Sequence, residues 1–165
     1  MNIFKKSKTF IALLISVLMI LSLSACSFNG GQDITDYVNI VSDDIHEAVN
    51  LTRDLKRQQE TLDARSIESA EKNLDTLSQL IELYSALVKI ESPKRYEDLD
   101  VEIKENSKKA LADIMELKSL VTTAKNTGND TLYKQDYMNI MDDYELAYMA
   151  LVDLGSQVTT RCRND

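Results

Sequence analysis

The chain has 165 residues, enough for one domain. Its 27 acids outnumber its 19 bases, which argues against nucleic acid as a partner, because phosphate-backbone binding needs a basic surface. With one His and two Cys, it also lacks residues for most zinc sites and for Cys/His or Ser/His/Asp catalysis. We therefore expect no enzyme, no metal and no cofactor.

The first 25 residues have the pattern of a targeting peptide. Lys5, Lys6 and Lys8 form a positive region without acids, and residues 10–23 (FIALLISVLMILSL) are apolar apart from serine. A membrane-spanning helix needs about 20 apolar residues, and this run has only 14. The pattern therefore predicts a cleaved peptide rather than a permanent anchor.

The end of this segment, Leu23-Ser24-Ala25-Cys26, resembles the lipobox of bacterial membrane lipoproteins. The resemblance implies a diacylglyceryl thioether on Cys26, cleavage of the Ala25–Cys26 bond and a further acyl chain, such as palmitate, on the new amino terminus. Two or three acyl chains anchor a protein stably, whereas one does not. The resemblance predicts a lipid-anchored protein on the extracytoplasmic face of the cell membrane. It covers the leader alone and says nothing about the attached domain.

A short tether and two helices follow. Residues 26–32, with Gly30 and Gly31, predict a flexible linker, and residues 33–165 predict a helical bundle domain. Apolar positions spaced by three and four residues run from Ile34 to Leu62 and again from Ile67 to Val88. The stripe changes phase at residues 61–66, so we expect a turn there. No Gly or Pro enforces this break, and one continuous helix remains an alternative.

Two more stripes predict two more helices. Ser92-Pro93 marks the boundary before a stripe from Tyr96 to Ala124, and residues 126–130 form a turn in which Asp130 is a candidate cap. The last stripe runs from Tyr133 to Val158. The predicted fold is all-α, an up-down-up-down four-helix bundle. This topology returns Arg161 and Arg163 to the end that carries Cys26, where they are candidates to contact anionic headgroups.

The fourth helix carries four of the chain's seven tyrosines. Tyrosine and methionine suit recognition surfaces, and this helix is acidic, which would favour a cationic or amphipathic partner. The other interpretation, which the stripe positions favour, is that these tyrosines fill the edge of the core with their hydroxyls reaching water. The candidate partner or ligand face comprises Tyr133, Tyr137, Met141, Tyr144 and Tyr148.

Other chemical signals are weak. His46 follows Asp43 by three residues, but ferritin-like metal bundles need two such pairs, so a place on the flank of the bundle is favoured. Asp142, Asp143 and Glu145 are expected to form a solvated acidic face, because no calcium-binding loop surrounds them. Cys162 would be the only cysteine left after lipidation of Cys26, either as a thiol or bridged to another chain.

These observations predict a non-enzymatic interaction or accessory module of the cell envelope, with an unidentified envelope protein as its partner. The alternative is a bundle that binds or senses a small ligand in a pocket lined by the fourth helix. The packing of Tyr137, Tyr144 and Tyr148 separates the two. Tyrosines around a cavity would favour the ligand, and solid packing would favour the interaction module.

Overall fold

The computed structural model describes residues 32–61, 67–128 and 131–164. Within these ranges the chain forms four α-helices packed against each other and no strand. They are α1 (Gln32–Thr61), α2 (Ile67–Lys89), α3 (Glu97–Thr127) and α4 (Thr131–Arg163). Helix α1 begins at Gln32, inside the predicted tether. The predicted leader, Cys26, residues 62–66 and Asp130 lie outside the described residues.

Helices α1 and α2 are separate elements. The Asn73 amide of α2 donates a hydrogen bond of 3.2 Å to Gln58 Oε1 of α1, and Gln58 Nε2 donates one of 2.9 Å to Thr76 Oγ1. In one continuous helix, the 15 residues between Gln58 and Asn73 would span about 22 Å. The alternative of a single helix through residues 61–66 is therefore wrong.

The predicted boundary at Pro93 is present but is built differently. Helix α2 ends at Lys89, and Pro93 adopts an extended conformation before a 3-10 turn (Lys94–Tyr96). Tyr96 N–H donates a hydrogen bond of 2.8 Å to the Pro93 carbonyl. Helix α3 therefore begins at Glu97 rather than at the proline. The buried ring of Tyr96 then points into the core from this turn.

Helix α3 ends where composition predicts a turn. Gly128 has a φ of 65°, in the left-handed region that favours glycine, and its N–H bonds the Ala124 carbonyl at 2.8 Å. This closes the last turn of the helix, after which α4 begins at Thr131.

The apolar stripes meet in one core. Each helix contacts the next along the chain, and α4 also contacts α1, so the four helices enclose a shared interior. Leu55, Leu77, Ile103 and Ile114 are fully buried there, and each such side chain stabilises the fold by about 1.5–3 kcal/mol. Five of the described tyrosines share this interior, and they are Tyr37, Tyr84, Tyr96, Tyr137 and Tyr144.

Candidate functional site

The tyrosine-bearing side of α4 faces the core. Tyr137, Met141 and Tyr144 are buried and Tyr148 is half-buried, whereas the side chain of Tyr133 lies outside the described residues. Three of the five residues predicted to face a partner or ligand are therefore inside the domain. A docking protein does not reach them in this structure.

The hydroxyl of Tyr144 has two protein partners. It lies 2.5 Å from Thr52 Oγ1 of α1 and 2.7 Å from the Tyr84 hydroxyl of α2. The Tyr84 ring meets the Tyr144 ring edge-on at 6.2 Å, and the Tyr148 ring stacks on Tyr144 at 5.9 Å. This tyrosine cluster (Thr52, Tyr84, Tyr144 and Tyr148) joins three helices through rings and hydroxyls. Its geometry is that of core packing rather than of a wall around a ligand.

Burial keeps this cluster neutral. Desolvation raises the pKa of Tyr84 and of Tyr144 well above the usual value of 10.0. Desolvation also raises the pKa of Tyr148 to about 12. A phenol that acts as a base or nucleophile needs a lowered pKa, so the direction of these shifts is opposite to what those two roles require.

A second buried contact joins α4 to α2 nearer their first turns. Asn73 Nδ2 donates a hydrogen bond of 3.2 Å to the Tyr137 hydroxyl, in addition to its bond to Gln58. Burial raises the pKa of Tyr137 to about 12. Sequence pattern alone does not identify Asn73, because a single Asn between apolar stripes is usual at a helix surface. Its burial is the consequence of helix packing.

An ionic contact holds the end of α4 to the start of α3. The Arg161 guanidinium donates two hydrogen bonds to the Asp98 carboxylate, at 2.6 and 2.8 Å, and one of 3.0 Å to the Arg95 carbonyl. It also lies 5.7 Å from the centre of the Tyr96 ring. The bonds from Arg161 lower the pKa of Asp98 to about 2. Of the two arginines predicted to contact headgroups, Arg161 is thus bound to Asp98, whereas Arg163 is exposed.

The same end contains the first turns of α1. The Tyr37 ring packs 5.4 Å from Tyr96, and its hydroxyl donates a bond of 3.4 Å to Asp100, a buried carboxylate that also pairs with Lys104 at 2.7 Å. The start of α1, the start of α3 and the end of α4 thus meet in one place. Arg95 and Arg161 also line a shallow open recess of about 410 Å³ there. Its other walls are polar side chains of α4 and of Asn164, which follows it.

The weaker metal candidates stay apart. His46 is half-buried on α1. Glu145 forms a salt bridge of 2.8 Å with Lys56, and Asp142 and Asp143 are exposed. Among the described residues, no group of three or more His, Cys, Asp or Glu side chains is placed to hold a metal ion.

Cys162 is half-buried near the end of α4, and its sulfur is disulfide-bonded. The only other cysteine of the sequence is Cys26, which lies outside the described residues. A Cys26 sulfur in a thioether to lipid is not available for a disulfide. Lipidation of Cys26 would leave Cys162 as a thiol or bridged to another chain, so the state of Cys162 in the mature protein is a second readout of the lipid anchor.

The predicted partner face did not include the opposite side of α4. Met138, Leu146 and Met149 are exposed although they are large and apolar. The available signal for Leu146 and Met149 was their helical spacing to the buried Tyr144, which places them on the far side of the helix, whereas Met138, three residues from Met141, lies at the margin of the buried side.

None of the helices in the described ranges is both long and apolar enough to cross a membrane. Comparison of the chain with protein-family models, curated proteins and solved structures finds no match.

Proposed function

We propose that this protein is a lipid-anchored lipoprotein on the extracytoplasmic face of a bacterial cell membrane, where it acts as a non-enzymatic interaction module. The observation that carries the anchor is Leu23-Ser24-Ala25-Cys26 directly after a positive and then an apolar segment. Residues 1–25 form the signal peptide, and acyl chains on Cys26 hold the domain at the membrane. Cleavage of residues 1–25 removes three lysines and no acid, so the net charge of the chain changes from −8 to −11.

The proposed architecture is an up-down-up-down four-helix bundle. Three contacts support antiparallel neighbours, since each joins the end of one helix to the start of another. They are Gln58 to Asn73, Lys125 to Glu71 at 3.1 Å, and Arg161 to Asp98. In this arrangement α1 begins and α4 ends at the same end of the domain.

That end lies next to the membrane in the proposed orientation. Gln32 follows Cys26 by six positions, with five residues between them, and six steps of extended chain span about 20 Å. Arg163 is then available to anionic headgroups, while Arg161 holds the end of α4 in place through Asp98. The remaining length of the helices extends away from the membrane, toward other envelope proteins.

The interaction role is supported by the packing of α4. Its tyrosines contact one another and bond with side chains of α1 and α2, and their raised pKa values keep them neutral. This is the packing expected of a module that presents helical faces to a partner. The ligand-binding alternative depended on tyrosines arranged around a cavity, and no contact described above favours it.

The test of the anchor is lipid labelling of the full-length protein in a bacterial host supplied with an alkyne-bearing palmitate. We expect label on the wild type and on Cys162→Ala, the matched control, and none on Cys26→Ala. Intact mass of the wild type should correspond to a chain that starts at an acylated Cys26 and carries a thiol or an intermolecular bridge at Cys162. Label on Cys26→Ala, or a disulfide between Cys26 and Cys162 in the membrane-bound protein, contradicts the proposal.

A further inference from the structure

The side of α4 that points to solvent carries the most exposed apolar surface among the described helices. Leu146 is 74% exposed, Met149 53% and Met138 50%. Together with Asp142 and Asp153, these residues form what we name the α4 outer face. Helix α3 exposes two large apolar side chains, Val101 and Met115, which lie 14 residues apart. Helix α4 thus places three such side chains within 12 residues.

The spacing on α4 forms a continuous strip. Met138, Asp142 and Met149 recur at intervals of four and seven residues, so they lie on one line along the helix. Leu146 follows Asp142 by four residues and precedes Met149 by three, which places it beside that line. From Met138 to Met149 the strip is about 16 Å long, or three helical turns. This length matches a short helical segment of a partner.

The charge on this side of α4 has a single sign. Residues 135–160 contain five acids and no base, whereas residues 99–124 of α3 contain five acids and four bases. Asp142, Asp143 and Asp153 are exposed. Glu145 is paired with Lys56. The acids of α4 outside that pair therefore give the α4 outer face a negative potential.

The neighbouring seam with α3 adds to this potential. Asp113 and Glu116 of α3 lie near Asp143 of α4. Partial burial of Asp113, and then repulsion from the charges of Asp143 and Glu116, raise the pKa of Asp113 above its usual value. On the other flank, Lys56 and Arg53 of α1 lie near Glu145 and Tyr148. The negative potential is thus strongest from the centre of α4 toward α3.

We propose that the α4 outer face is a docking surface for a basic amphipathic helix of another envelope protein. The apolar side of such a helix would cover Leu146 and the two methionines, which adapt their shape to a partner. Its Lys and Arg side chains would pair with Asp142, Asp153 and Asp143, and like charges would exclude acidic segments. This inference deepens the proposed function and depends on it, because the partner must share the membrane face.

The first experiment is photo-cross-linking in living cells of the native host. Full-length protein carries benzoylphenylalanine in place of Leu146, and a matched version carries it in place of Met115, which is 55% exposed on α3. We expect a cross-linked product from position 146 at roughly ten times the yield from position 115. Peptide mapping of the product should identify a helical segment with net positive charge.

The second experiment tests the charges. Asp142→Asn with Asp153→Asn is added to the position-146 protein, and Glu102→Gln with Glu105→Gln on α3 is the control. We expect the first pair to lower the cross-linking yield about tenfold and the control pair to leave it within about twofold. Circular dichroism of each variant confirms that exposed substitutions leave the helices intact.

Several results would overturn the docking surface. These are equal yields from positions 146 and 115, a product with a second copy of this chain, a product with an acidic or uncharged segment, or insensitivity to the Asp142 and Asp153 changes. Lipid labelling at Cys26 in the same cells distinguishes failure of the docking surface from failure of the proposed anchor. Labelled protein without the expected cross-link refutes only the docking surface, whereas unlabelled Cys26 refutes the proposed anchor.

Discussion

The tyrosine cluster and the Arg161–Asp98 contact both join helices through polar groups, but in opposite surroundings. Tyr84 and Tyr144 are fully buried and neutral, and their hydroxyls bond to each other and to Thr52. Arg161 and Asp98 are charged, and their side chains are 32% and 64% exposed. A buried hydrogen bond that loses one partner leaves the other desolvated, whereas an exposed charge that loses its partner returns to water.

The buried cluster and the exposed ion pair therefore hold α4 in place to different degrees. The tyrosine cluster restricts how α1, α2 and α4 pack, because separation of Thr52, Tyr84 and Tyr144 would leave buried hydroxyls without a partner. The contact at Asp98 only fastens the last turns of α4. Substitutions at Tyr144 should therefore destabilise the domain more than a substitution at Asp98.

Truncation of the buried ring should have the largest effect. Tyr144→Ala removes a fully buried aromatic side chain and should lower the free energy of unfolding by about 3–5 kcal/mol. Tyr148→Ala is the matched control on the same helix, where the ring is only half-buried, and should cost about half as much or less. Denaturant unfolding followed by circular dichroism measures both. Equal losses would show that Tyr144 is not more tightly packed than Tyr148.

Removal of the hydroxyl alone should have an intermediate effect. Tyr144→Phe keeps the ring but deprives Thr52 and Tyr84 of a partner, and should cost about 1–3 kcal/mol. Combination with Thr52→Val completes a double-mutant cycle, in which the two losses should be less than additive by about 1 kcal/mol. Additive losses would mean that the two side chains do not interact.

The exposed contact should have the smallest effect and should depend on pH. The pKa of Asp98 is lowered from 3.8 to about 2 in the folded protein, so its contribution to stability is complete above the unfolded value and is lost as pH falls toward 2. Asp98→Asn should therefore lower Tm slightly at about pH 6, with the difference from wild type disappearing near about pH 2. A difference that persists at the acid limit would contradict an ionic origin.

Several features of the fold could be predicted from local pattern. Spacing by three and four residues identified the four helices, and Pro93 and Gly128 marked two of the boundaries. The separation of α1 from α2 was harder to predict, because no residue enforces it. It is established by the long-range bond between Gln58 and Asn73, which no local pattern contains.

The candidate site was predicted less well, because Tyr and Met are common both in cores and at interfaces. Tyr144 is of a residue type that is common at recognition surfaces, but it is fully buried in the core. Its partners Thr52 and Tyr84 lie 92 and 60 residues away in the chain. Contacts at that separation follow from how helices pack, and the sequence of one helix does not specify them.

The sequence by itself determined that helices form and where most of them end, and the resemblance of residues 23–26 to a lipobox is the basis of the proposed anchor. Tertiary structure decided which residues at the margin of each apolar stripe became covered. Met138 and Met141 are both methionines and lie three positions apart, yet Met138 is 50% exposed and Met141 only 4%. The helical period fixes the angle between them, but only the positions of α1, α2 and α3 decide which one is covered.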